Sequence, residues 1–136
     1  MERFADHCQA ACDAVADPWD RLQLLGFAHL EFALSEPSAY QLLFEKTDEG
    51  EYPELDAAGR RARQINVDAC KAAVEAGLME EDPEVIARVF WSALHGAAVL
   101  QIADQFSVGP DLDRIAEPLI ESVLHGMRSP RVDSPR

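Results

Sequence analysis

The stretch from Glu84 to Phe106, EVIARVFWSALHGAAVLQIADQF, decides the fold. It contains no proline and is long enough for about six turns of helix. Val85, Val89, Ser92, Gly96, Val99 and Ala103 follow at steps of three or four and make one face. Ile86, Phe90, Ala93, Ala97 and Leu100 make a second, and Trp91, Leu94, His95, Ala98 and Ile102 a third. A helix that is apolar or small almost all round has packing partners on every side. Ala93, Gly96, Ala97 and Ala98 sit in its middle, where small side chains let another helix approach closely. The pattern predicts a core helix, with packing that extends beyond one monomer.

The flanking punctuation frames this helix. Asp82-Pro83 places an aspartate cap and a first-turn proline before it, and Gly109-Pro110-Asp111 separates it from a last helix reaching Met127. In that last helix Leu112, Ile115, Leu119 and Val123 form a stripe, and Pro118 removes one ladder bond. Upstream, a long helix over 54–76 ends at Gly77, with Leu78 as the apolar contact of its C-terminal stop. Asp17-Pro18 opens a helix that runs to about Glu36, rich in leucine and phenylalanine; Pro37 ends it. Tyr40, Leu43 and Phe44 follow on a short segment, and Phe4, Cys8 and Cys12 lie on one side of a modest first helix. EKTDEGEYP, residues 45–53, reads as an acidic surface loop, and residues 129–136 as a disordered C-terminal tail. The expectation is an all-α domain of six helices over residues 1–128, with no strand.

Composition narrows the function classes. The chain of 136 residues is 48% hydrophobic and 27% charged, ordinary values for one globular domain. Twelve Lys and Arg stand against 25 Asp and Glu, a net charge of −13. Nucleic-acid binding draws on cations that neutralise phosphates, so direct nucleic-acid binding by this chain is not expected. The one cationic cluster is Arg60, Arg61 and Arg63, preceded by Glu54 and Asp56. Charges or polar groups break each apolar run before the ~18 residues of a membrane span. MERFADHCQA has no basic region leading into an apolar one, so neither an export signal nor a membrane partner is expected. Three cysteines then read as free thiols in a reducing cytoplasm.

Metal and catalytic chemistry lack the residue sets they need. Cys8 and Cys12 are one turn apart with His7 beside them, but a closed zinc site takes four ligands and His7 points off the cysteine face. Glu121 and His125 are also one turn apart, yet the Glu-x-x-His pairs of a di-iron bundle do not occur. No Gly-x-Ser-x-Gly elbow, phosphate loop or His-Glu-x-x-His is present, and the Ser92–His95 pair lacks a third orienting group. No metal, cofactor or catalytic residue is assigned. Polar tips in apolar surroundings remain: His29, Tyr40 and His95, with Phe32, Phe44, Phe90 and Trp91 close by in sequence or pattern. They read either as internally satisfied core residues or, if they converge, as the few polar groups of an apolar small-molecule pocket.

Phe32-Ala-Leu-Ser-Glu-Pro-Ser-Ala-Tyr-Gln-Leu-Leu-Phe44 resembles the FAL-x-x-P-x-x-Y-x-L-x-F segment in the C-terminal domain of TetR/AcrR-family transcriptional regulators. Trp91-Ser-Ala-Leu-His95-Gly96 is similar to the tryptophan–histidine–glycine signature of its WHG-type branch, and Ala76-Gly77-Leu78 before Asp82-Pro83-Glu84 matches that branch's turn. The resemblance spans residues 2 to 127 and implies a six-helix effector-binding and dimerisation domain. Its last two long helices would pair with those of a second subunit as a four-helix bundle. It implies a homodimer interface at Ala93, Gly96, Ala97, Leu100, Leu112, Ile115, Leu119 and Val123. It also implies a small lipophilic effector held at His29, Phe32, Tyr40, Phe44, Phe90, Trp91 and His95. Effector binding would control the DNA affinity of a basic N-terminal helix-turn-helix head, which this sequence lacks. Two other readings stand beside it: a stand-alone helical dimer that binds a small molecule or a protein, and a metal-binding helical-bundle enzyme.

Overall fold

In the computed structural model, which describes residues 2–44, 50 and 52–130, the described residues form six helices and no strand. They are α1 (Glu2–Asp13), α2 (Pro18–Ser35), α3 (Pro37–Phe44), α4 (Pro53–Glu75), α5 (Pro83–Ile102) and α6 (Leu112–Gly126). Aspartate and proline set the starts. Asp17 accepts from the Asp20 N–H at 2.9 Å, Asp82 from the Glu84 N–H at 2.8 Å, and Asp111 from the Arg114 N–H at 3.4 Å. Each cap satisfies a donor that the first helical turn leaves without a backbone partner. Gly77 stops α4 in the left-handed conformation (φ +78°), and the Leu78 N–H closes back on the Ala73 carbonyl at 3.0 Å.

α2 lies at the centre and packs on each of the other five helices. Its closest approach is at Gly26, where an added Cβ would come within 2.9 Å of Phe90 Cζ and 3.0 Å of Ile120 Cδ1. Glycine there lets α2 settle against α5 and α6 together. α4 is tied to α5 by a buried amide: Asn66 Nδ2 donates to the Ala87 carbonyl at 3.0 Å. α1 is held on α4 by Arg61, which reaches Glu2 at 2.7 Å and Asp6 at 2.6 Å.

Three expectations are corrected. The central helix stops at Ile102 instead of reaching Phe106: Ala103 caps it and Asp104 adopts a positive φ of +59°. Gln101 Oε1 then accepts the Leu112 N–H at 3.2 Å, so the chain turns directly into α6. The tail expected from residue 129 does not begin there, because Ser129 is buried, its N–H on the Leu78 carbonyl at 2.7 Å and its hydroxyl on Glu80 at 3.0 Å. Residues 131–136 lie outside the described residues, as do 45–49 and 51 of the expected loop. Finally, α5 is long and apolar enough, by length and composition, to cross a membrane; here it packs on α2, α4 and α6 as a core helix.

Candidate functional site

Four helices bring their aromatic and imidazole groups to one place. Tyr40, fully buried on α3, stands between His29 of α2 and His95 of α5. Its hydroxyl lies 2.7 Å from His29 Nε2 and 2.7 Å from His95 Nδ1. A phenol has one proton and free lone pairs, so it donates to one imidazole and accepts an N–H from the other. Rings close around this chain. Phe4 of α1 meets His29 edge-on with centroids 5.1 Å apart, and Trp91 does so at 5.3 Å. Phe44 lies 4.7 Å from Tyr40 and 4.8 Å from His95, and Phe32 lies 5.2 Å from Phe4.

Burial fixes the protonation states. It pushes the His29 imidazole down to about 3, with the neighbouring His95 acting in the same direction. Burial also lowers His95 and holds the Tyr40 phenol above its ordinary range. At neutral pH the chain is therefore uncharged: a phenol between two neutral imidazoles. The half-buried groups Phe44, Trp91 and His95 form its open end. His95 Nε2 has no hydrogen-bond partner among the described residues, so the open end carries an unused polar atom on an aromatic rim. Such an arrangement can recognise a polar group on an otherwise apolar molecule.

Of the residues singled out in the sequence, His29, Phe32, Tyr40, Phe44, Trp91 and His95 come together, and Phe90 does not. Phe90 is fully buried and faces Gly26 on the α2 side of α5, one position away from Trp91 and on a different face. Phe4 was missed as a site residue; its place on the inward stripe of α1 with Cys8 and Cys12 was the available signal. Ser92 does not engage His95, because its hydroxyl donates to the Arg88 carbonyl at 2.7 Å. Cys8, Cys12 and Cys70 are free, buried thiols, with burial pushing Cys8 and Cys70 up to about 12. They are protonated at neutral pH and lack the thiolate that metals and electrophiles require. Glu121 accepts from Gln23 and lies 3.0 Å from His125 Nε2, so that pair ties α6 to α2.

The residues assigned to a subunit interface divide in two. Gly96 and Leu100 are exposed, and Ala93, Ile115, Leu119 and Val123 are half-buried. Leu112 (1% exposed) and Ala97 (7%) are instead inside this chain's own core and have almost no surface to offer a second subunit. The open strip is the first face read in the sequence: Val85, Val89, Ser92, Gly96, Val99 and Ala103 are all exposed, with Leu100 beside them.

The profile of the tetracycline-repressor-like C-terminal domain matches residues 22–123. In fold, the chain is similar to a protein of unknown function from Rhodococcus sp. RHA1, with a TM-score of 0.80, 20% identity, and coverage of 94% of this chain and 68% of that one. It is also similar to a TetR/AcrR-family transcriptional regulator from Thermobifida fusca YX-ER1, with a TM-score of 0.70, 22% identity, and coverage of 93% and 68%. No curated protein matches in sequence.

Proposed function

Since this chain belongs to the family of tetracycline-repressor-like C-terminal domains, we propose that it is the ligand-sensing and homodimerising part of a TetR-like transcriptional regulator. The observation that carries this reading is the double role of α5. On one side it bears His95 and Trp91, the open end of the imidazole–phenol chain; on another it leaves an apolar strip to solvent. A small lipophilic effector touching His95, Trp91 and Phe44 would act on the same helix that a second subunit grips. A shift of α5 would then change the spacing of two N-terminal DNA-reading heads in the dimer, and with it their grip on an operator. In this reading the domain is non-enzymatic, works in the cytoplasm, and touches neither nucleic acid nor membrane itself.

Native mass spectrometry of the purified chain at low micromolar concentration tests this. A species of twice the chain mass, with or without a retained organic molecule, is the expected result. A purely monomeric chain would remove the dimer from the reading.

A further inference from the structure

Trp91 is a wall shared by two sites. Its ring contacts His29 and Phe44, and it also lines a cleft of about 470 Å³ between α4 and α5. That volume is within the roughly 300–1,000 Å³ of small-molecule pockets. The cleft floor is apolar, with Val67 and Ala87 buried beneath it, and its rim carries Arg60, Arg63 and Arg88.

The state of the donors around this cleft is uneven. Asn66 spends its amide on the Ala87 carbonyl, Gln64 on Asp68 at 2.8 Å, and Ser92 its hydroxyl on the Arg88 carbonyl. The guanidiniums of Arg60, Arg63 and Arg88 make no ion pair or hydrogen bond among the described residues, although Glu84 shares the cleft wall. Arg61, on the opposite side of α4, is fully engaged with Glu2 and Asp6. In a chain of net charge −13, three arginines without a partner among the described residues, gathered over one apolar floor, are a local reversal of the field. Guanidinium forks match carboxylate and phosphate oxygens, and an indole face with an aliphatic floor takes an apolar body.

We infer that the α4–α5 cleft binds an amphipathic organic anion, its carboxylate or phosphate held by Arg60, Arg63 and Arg88 and its apolar body laid on Val67, Ala87 and Trp91. This adds a second ligand site beside the effector contact at His95 and Phe44, and rests on the ligand-sensing reading. Through Trp91, occupancy of the cleft bears on the ring that packs against His29.

The test is titration calorimetry of the full chain with dodecanoate, dodecyl phosphate and dodecanol, each kept below its aggregation limit. The expected result is saturable binding of at least one anion, about tenfold or more tighter than the alcohol and weakened by added salt. Arg63→Gln and Arg88→Gln each lower anion affinity by about tenfold, as the loss of a charge-assisted contact requires, and leave the alcohol unaffected. Arg114→Gln, an exposed arginine on α6, is the control and changes nothing. The ranking of carboxylate against phosphate identifies which anion the rim prefers. Equal binding of anion and alcohol, or affinities indifferent to the arginines, overturns the anion assignment and leaves ligand sensing intact. If no probe binds, the anion site is overturned, and dimer formation by mass spectrometry separately decides the other reading.

Discussion

On the inner side of α5, Phe90, Leu94 and Ala98 are between 0% and 2% exposed; on the outer side, Val85, Val89, Val99 and Leu100 are between 43% and 45% exposed. Both sides are apolar, and both follow the same helical spacing. The inner side is closed because α2, α4 and α6 reach it, and Gly26 admits Phe90 by leaving out a single methyl group. The outer side has no such neighbour among the described residues. Apolar residues scattered singly over a surface are ordinary, whereas a strip at steps of three and four along one helix is the kind of patch the proposed dimer would cover. The comparison teaches that periodicity identifies apolar faces without saying which face the same chain will cover.

The strongest way to break the inner side is at Tyr40. Tyr40→Ala removes a fully buried ring and leaves His29 Nε2 and His95 Nδ1 facing each other without the hydroxyl that joins them. Cavity and unsatisfied polar atoms add, so urea denaturation should show a loss of about 3–5 kcal/mol. Tyr40→Phe keeps the ring and should lose only about 1–3 kcal/mol, the part owed to the hydrogen bonds. Equal losses in the two variants would mean that the hydroxyl, not the ring, dominates.

How far the sequence carried follows from which interactions are local. Helix starts were legible because Asp17, Asp82 and Asp111 act within their own first turns. The stop at Gly77 was legible for the same reason. Which residues share the site was legible in part: the FAL-x-x-P-x-x-Y-x-L-x-F and tryptophan–histidine–glycine resemblance placed most of them by analogy. Their geometry was not legible. Tyr40 joins partners 11 and 55 positions away, and nothing in either spacing fixes how α3 and α5 approach. Phe90 and Trp91 are neighbours about 100° apart around the helix, and only the position of α2 decides which of them enters the imidazole cluster. Leu112 and Ala97, expected at a subunit interface, are buried within this chain, because small or apolar character fits a subunit interface and a monomer core alike. Arg88 joins Arg60 and Arg63 because α4 packs along α5, with the Asn66–Ala87 bond beside them.

Acid sharpens the comparison, because it loads the inner side alone. Unfolded, His29 takes up a proton below its ordinary value of about 6.5; folded, it resists down to about 3. Between those limits the unfolded chain binds more protons, so stability rises with pH and is lost as pH falls. His29 alone contributes a slope of about 1.4 kcal/mol per pH unit across that window. His95, lowered by burial as well, acts in the same direction. Denaturation curves from pH 7 to pH 4 should show a shallower fall in His29→Gln than in the unaltered chain. Parallel curves would mean that carboxylates, not the buried imidazole, govern acid sensitivity.

The smallest effect on folding should come from the outer side, and there the fold is not what changes. Val89 is 45% exposed, so Val89→Glu should leave the monomer's stability within about 0.5 kcal/mol. If the strip is the surface that a second copy covers, the same substitution places a carboxylate in a desolvated contact, at a cost of several kcal/mol to association. Ala97 is the wrong probe, because at 7% exposure a charge there would damage the core and the dimer together. Sedimentation velocity at low micromolar concentration should show the unaltered chain as a dimer and Val89→Glu as a monomer with unchanged helical circular dichroism. A Val89→Glu chain that stays dimeric would move the contact off this strip and onto the half-buried α6 residues Ile115, Leu119 and Val123. The apolar outer side of α5 would then stand as a surface for some other partner, and the link between effector and dimer through one helix would fail with it.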